Sequence, residues 1–202
     1  MVSSSPAMSR RERNKQDKLD RITAAARDLF AEYGVSEVTT QQVADRADVG
    51  TGTVFLYAKN KGELLLLVQN SDYASALERG TAAAADVVDP VEAIMAVLRP
   101  VVECNRKQIE NGRTYQREVV FGDDTEPHRR EALSLAAKTE AVVAEILGRG
   151  DDDATHHPDR QVQAHIVSAI LFLSMALTAN ATKTVADVAA EIEMQIGVLL
   201  GR

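Results

Sequence analysis

The chain has 202 residues, 45% of them apolar, no Trp and abundant Ala and Leu, which is enough for a proper core and leans towards helix. A single cysteine, Cys104, excludes an internal disulfide framework and suits a reducing compartment. The net charge of −7 argues at first against a nucleic-acid partner, but residues 1–61 carry 10 Lys/Arg against 8 Asp/Glu and the remainder 13 against 22. One end of the chain is therefore suited to a polyanion.

The opening stretch MVSSSPA is Ser-rich and reads as disordered, and no apolar leader segment lies before Arg21. Arg10, Arg11, Arg13, Lys15, Lys18 and Arg21 follow within twelve residues. Residues 1–16 are expected to form a flexible basic arm. From about Asp17 to Tyr33, the residues Ile22, Ala25, Ala26, Leu29, Phe30 and Tyr33 recur at helical steps, and Gly34 is placed to close the helix in a left-handed conformation. In VTTQQVADRADVG, Thr39 or Thr40 can cap a short helix with Val43, Ala44 and Ala47 inside; Gly50 ends it and Thr51 opens a third. By helical phase, Val54 and Phe55 serve the core. A fourth helix starts near Asn60 and runs to about Arg79.

Two short helices joined by a Gly-containing turn, behind a longer helix, form a helix-turn-helix pattern over 17–62. The stretch VGTGTVF is not a nucleotide loop. No β-branched strand precedes it, position 55 is Phe55 where a dinucleotide loop needs its third glycine, and the P-loop spacing is absent.

Residues 63–202 also read as helical. Asp89 and Pro90 start a helix that Pro100 is expected to kink or break. Further helices span Arg113 to Phe121 and Thr125 or Glu126 to Leu147, before a polar loop at 148–159. The apolar run Ile166 to Ala179 has 14 residues, against the roughly 20 of a membrane span, so it reads as a buried helix of an intracellular, cytoplasmic protein. The final helix, from Thr184, carries an apolar stripe. The last two helices are expected to pair with those of a second copy in a four-helix bundle, through Ile166, Ile170, Leu173 and Leu177 and through Val188, Ile192, Ile196 and Leu199.

Over residues 21–68 the sequence resembles the DNA-binding domain of the tetracycline-repressor (TetR) family. The resemblance rests on A-x-x-L-F-x-x-x-G, T-T-x-x-[IV]-A and V-x-x-G-T-[LV]-[FY]-x-Y, followed by a lysine four residues later. It implies an all-α homodimer with an N-terminal three-helix DNA-binding domain and a C-terminal helical bundle, 63–202, for ligand sensing and dimerisation. It also implies that Thr40 and Gln41 meet the DNA backbone, that Thr51, Gly52, Thr53, Leu56 and Tyr57 lie on the recognition helix, and that Lys61 meets a phosphate. Helix N-termini and hydroxyls suit phosphate, and Gly52 allows close backbone approach.

This recognition helix lacks the Arg, Asn or Gln that read purine edges. Specificity is then expected from Thr51 and Leu56 on thymine methyls, from Gln41 or Gln42, and from DNA shape. Arg10, Arg11 and the rest of the arm to Lys18 are expected to enter an adjacent minor groove.

No spacing resembles a catalytic triad or carboxylate pair, so the chain reads as a binding protein without a cofactor. The loop with Asp151–Asp153, His156 and His157 matches no tetrahedral metal site. Cys104 reads as an inert buried thiol. An apolar effector pocket between helices is expected near Met95, Leu98, Cys104, Tyr115 and Glu118. Phe121, His165, Phe172 and Met175 complete it. The expected partners are a palindromic operator in double-stranded DNA, a small effector and a second copy, with no membrane. The rival reading is a helical dimer that binds another partner and retains a nonfunctional DNA-binding fold.

Overall fold

The computed structural model describes residues 9–123, 125–150 and 157–202, and the described residues are helical with no strand. The chain divides into two compact units, Met1–Val68 and Gln69–Arg202. The division falls six residues later than the helix-turn-helix boundary read from the sequence. It lies inside helix α4, Lys61–Ala83.

In unit 1, helix α1 spans Arg10–Tyr33 and buries Ile22, Ala25, Ala26, Leu29 and Phe30. The expected flexible arm is therefore helical from Arg10 onward. Its cause is a capping box: the Glu12 amide donates to Ser9 Oγ at 3.2 Å and the Ser9 amide to the Glu12 carboxylate at 2.8 Å. Those hydrogen bonds, the backbone one first, hold the Glu12 carboxyl below its ordinary pKa. At the other end Gly34, at φ 80°, gives its amide to Phe30 O. Helices α2, Thr40–Arg46, and α3, Thr51–Val54, complete the motif, with Val43, Ala44 and Val54 buried.

Unit 2 is built around α5, Pro90–Arg106, whose buried residues include Ile94, Met95, Leu98, Val101 and Val102. It contacts α6, Ile109–Phe121, α7, Pro127–Leu147, α8, His157–Ala176, and α9, Val185–Leu199. Asp89 caps α5 by accepting from the Val91 and Glu92 amides. The helix runs through Pro100 as one segment. The break comes instead at Lys107–Gln108, where Gln108 Oε1 accepts from the Asn111 amide at 2.8 Å and starts α6 early. This reversal requires Gly112, because a Cβ there would lie 2.1 Å from the Asn105 carbonyl oxygen. On α4, a Cβ on Gly80 would lie 2.5 Å from Val97 O.

Several buried polar groups in unit 2 are paired across helices. Tyr115 donates to Asn70 Oδ1 at 3.0 Å, and the Asn70 amide donates to His128 O and Glu131 Oε2. Thr139 donates to Leu135 O, so Tyr73 is the donor in the 3.0 Å bond between the Tyr73 and Thr139 hydroxyls. The Tyr73 and Tyr115 rings stack at 6.3 Å.

The apolar run Ile166 to Ala179 is enclosed on one side only. Ala164, Val167, Leu171 and Met175 are buried, whereas Ile166, Leu173 and Leu177 are exposed. The opposite correction applies to α9, whose Val188, Ile192 and Ile196 are fully buried in the subunit's own core. A stripe read by periodicity marks an apolar face but not what covers it. No helix of the described residues is long and apolar enough to cross a membrane.

Gly112→Ala is expected to cost on the order of 1–3 kcal/mol through forced backbone movement, read as a fall of several degrees in Tm. An unchanged Tm would show that the α5–α6 reversal opens without strain.

Candidate nucleic-acid interface

The interface begins at the N-terminus of α2. Thr39 is the cap: its Oγ1 accepts from the Gln42 amide, and Gln42 Oε1 accepts from the Thr39 amide at 2.7 Å. Gln42 is thereby committed to the cap, which leaves Gln41 as the glutamine turned to other work. Gln41 donates to Asp45 Oδ1 at 2.7 Å and accepts from Thr51 Oγ1 at 2.6 Å, joining α2 to α3. Thr40 is the first residue of α2.

The turn between the helices is closed by Asp48 rather than by Gly50. Asp48 has φ 52°, while Gly50 is extended at φ −69°. The Val49 amide bonds Ala44 O and the Asp48 amide bonds Asp45 O, the paired closure of a Schellman turn. Aspartate accepts the left-handed conformation more readily than most residues. Arg21 of α1 reaches the same turn, with Nη1 3.4 Å from Asp48 O and 3.6 Å from its carboxylate. The carboxylate is fully exposed, so the pair orients the turn more than it stabilises it.

Helix α3 is only four residues long. The chain continues as a tight turn in which the Leu56 amide bonds Thr53 O and the Tyr57 amide bonds Val54 O. Leu56 and Tyr57, expected on the recognition helix, thus lie on this turn. Val54 is buried as expected, but Phe55, which still follows helical phase, is 49% exposed, and Leu56 is 82% exposed. Tyr57 donates its hydroxyl proton to Lys15 O at 3.0 Å. Lys61 Nζ donates to Ser36 O at 2.9 Å.

A groove of about 870 Å³ lies between α1 and this turn, walled by Arg10, Arg11, Asn14, Lys15 and Lys18 on one side and by Thr53, Leu56 and Tyr57 on the other. The sequence reading missed it because the arm was taken as flexible. The signal that could have found it is Ser-x-x-Glu at Ser9–Glu12. No Cβ on Gly50 or Gly52 would meet anything within 4 Å, so the protein's own packing does not require glycine at either place.

Residues 22–68 match the family model described as bacterial regulatory proteins, tetR family. The chain thus carries, over these residues, the DNA-binding domain of the tetR family. It is a DNA-binding transcriptional regulator of the helix-turn-helix type. It is similar to the HTH-type transcriptional repressor KstR of Rhodococcus jostii, at 23% identity over 93% of this chain and 84% of that protein. Its fold is also that of the tetR-family repressor FadR of Thermus thermophilus, solved with lauroyl-CoA, at TM-score 0.66 and 24% identity over 90% of this chain and 93% of the other. FadR of Bacillus subtilis, solved with stearoyl-CoA, aligns at TM-score 0.62 and 15% identity over 88% of this chain and 96% of the other.

The residues expected around an effector pocket are not all brought together. Met95, Leu98, Tyr115 and Met175 are buried, and Cys104 and Phe172 are half-buried. Phe121 is 82% exposed at the end of α6. His165 is exposed and lies 3.2 Å from Glu140, and Glu118 lies 3.6 Å from Arg117. Helical periodicity does not report that α6 ends with Phe121 turned outward. A surface groove of about 700 Å³ between α4 and α7 is floored by Leu77 and Leu135 and edged by Glu78 and Lys138. The acidic segment with His156 lies outside the described residues, and the side chain of His157 is not described. No group of three possible metal ligands occurs among the described residues.

Replacing Gly52 by Ala is expected to leave Tm unchanged or slightly higher while lowering DNA affinity at least several-fold, as measured by melting and by fluorescence anisotropy. Burial, and secondarily the Asp72 carboxylate, pushes the Cys104 thiol up to about 11. Its alkylation at pH 8 should therefore run roughly a hundred-fold slower than that of a free thiol and approach the free rate on unfolding. Fast labelling of the native protein would contradict the burial.

Proposed function

We propose that this protein is a homodimeric repressor of the tetR family that binds a palindromic operator and is released from it by a small amphipathic or apolar molecule. The observation that carries the DNA half is the joined pair of helices in unit 1. Gln41 holds Thr51, and together they present Thr53, the open backbone of Gly52 and the exposed Leu56. A leucine this exposed has no folding role and suits contact with thymine methyls. Two such turns must reach successive major grooves, about 34–36 Å apart. Thr40 and Lys61 are assigned to the flanking phosphates. Tyr57, whose proton is given to Lys15 O, is assigned to positioning.

The outer face of the last two helices is the proposed dimer surface. Ile166, Leu173 and Leu177 of α8 and its end contribute to it, with Met194 and Val198 of α9, all exposed in the single subunit. Ile170 and Leu199, both half-buried, lie at its edge. Val188, Ile192 and Ile196 support it from within the core.

The effector is proposed to be an acyl thioester or a molecule of similar make-up, acting on unit 2. The α4–α7 groove has an apolar floor and a charged rim, the pattern of a site for an amphipathic molecule. Two structures of the same fold were solved with acyl-CoA molecules. A coupling of roughly 1–3 kcal/mol between effector and DNA would change affinity about 5- to 150-fold, enough for a switch. The role is binding rather than catalysis.

The test is selection of genomic fragments by the purified protein, with Leu56→Glu as control, followed by titration of lauroyl-CoA and stearoyl-CoA against the selected duplex. A shared palindrome lost in the control and displaced by either thioester is the expected outcome. Enrichment equal to the control would remove the DNA reading, and displacement by neither thioester would remove the effector class. Leu173→Glu with Val198→Glu is expected to yield a monomer in sedimentation and to lower operator affinity by at least ten-fold, since both half-sites no longer bind together. A dimer that persists would place the interface elsewhere.

A further inference from the structure

The first turns of α1 carry Arg10, Arg11, Lys15 and Lys18 with Asn14 among them, at steps of one, four, five and eight residues from Arg10, which places them on one side of the helix. They wall the groove whose other side is Thr53, Leu56 and Tyr57. At about 1.5 Å per residue the cationic edge is about 12 Å long. An α-helix with its side chains is about 10–12 Å across, whereas the minor groove of DNA is about 6 Å wide. A helical segment therefore does not enter a minor groove as an extended arm would. Its width suits the backbone instead.

We propose that Arg10–Lys18 is a rigid rail for the phosphates of one DNA strand, and that this strand runs in the groove between α1 and the recognition turn. The inference rests on the DNA-binding reading above and adds which groups hold the duplex and in what register. The register comes from Tyr57. Its hydroxyl bonds Lys15 O at 3.0 Å, so the rail and the turn bearing Leu56 are fixed to each other before DNA arrives. The capping box of Ser9 and Glu12 keeps the first turn of the rail helical. The rail supplies affinity without sequence preference, because phosphates carry none.

Each cation that neutralises a phosphate contributes about 0.9 to the slope of log K against log salt. The experiment measures that slope for the full chain on the selected genomic duplex and on a mixed-sequence duplex, both of about 30 bp so that two half-sites one turn apart fit. The variant Arg10→Ala/Arg11→Ala/Lys15→Ala/Lys18→Ala keeps a good helix former at every position. Because a dimer on two half-sites loses eight cations, it is expected to lower the slope by roughly four to seven on both duplexes while keeping the ratio of the two affinities. Asn14→Pro retains every cation but ends the helix ahead of it, and is expected to lose the share of Arg10 and Arg11 on both duplexes. Circular dichroism and Tm confirm that each variant is folded.

A quadruple variant with the wild-type slope would overturn the rail, as would an Asn14→Pro variant that binds like wild type. So would a loss confined to A·T-rich flanks, which would make the segment a minor-groove reader. In each of these cases wild-type binding shows that the DNA reading stands. A wild-type protein that binds neither duplex at low salt removes that reading and the rail with it.

Discussion

A helix of four residues has no stability of its own, since the cost of its first turn is never recovered by propagation. Everything assigned to α3 therefore depends on what holds it from outside. Val54 anchors it in the core of unit 1, the left-handed Asp48 aims it, Thr51 ties it to Gln41, and Tyr57 ties the turn that follows it to α1. The hydrogen bonds are exposed and individually contribute about 1 kcal/mol or less. Their value is geometric: they convert a flexible loop into a surface with one shape.

The sequence carried the helix boundaries well where capping chemistry is local. Gly34, Asp89 with Pro90 and Gly148 stand at helix ends, because a cap is decided by a few adjacent residues. It failed where two devices compete for one job. Gly50 was read as the end of α2, yet Asp48 holds the left-handed position there, because the paired hydrogen bonds close the helix two residues earlier. Pro100 drew the helix break, yet the chain reverses at Gln108, where a side-chain cap and a bare Gly112 allow it. The basic arm was misread because charge was weighed and the capping box beside it was not. Periodicity found the apolar faces of α8 and α9 but not their partners, so Val188, Ile192 and Ile196, which are core, were read as outer surface on α9.

Unit 2 has its own solution to the carbonyl groups that helix ends leave unpaired. Arg106 donates to Asn180 O and Lys183 O, Arg129 to the carbonyls of Glu118, Val119 and Val120, and Arg149 to those of Ala84 and Val87. Each guanidinium has several donors in a fixed plane and can gather carbonyls that no single amide would reach. Arginines that a charge count would assign to the surface thus serve as brackets at three chain reversals. Nothing in their sequence spacing announces it, because their partners lie 9 to 77 residues away.

The four tyrosines divide evenly between the units, and the chain has no Trp to mask them. Tyr33 and Tyr57 belong to unit 1, and the stacked pair Tyr73 and Tyr115 to unit 2. Burial pushes Tyr73 up to about 12 and Tyr115 well above the ordinary phenol value. The molecule therefore contains an optical label in each half without modification. Phenol absorbance that is silent through mild alkali and emerges only on unfolding reports the state of unit 2. Emission lost when Tyr57 is replaced by Phe isolates that residue's share of the other half's signal, leaving Tyr33.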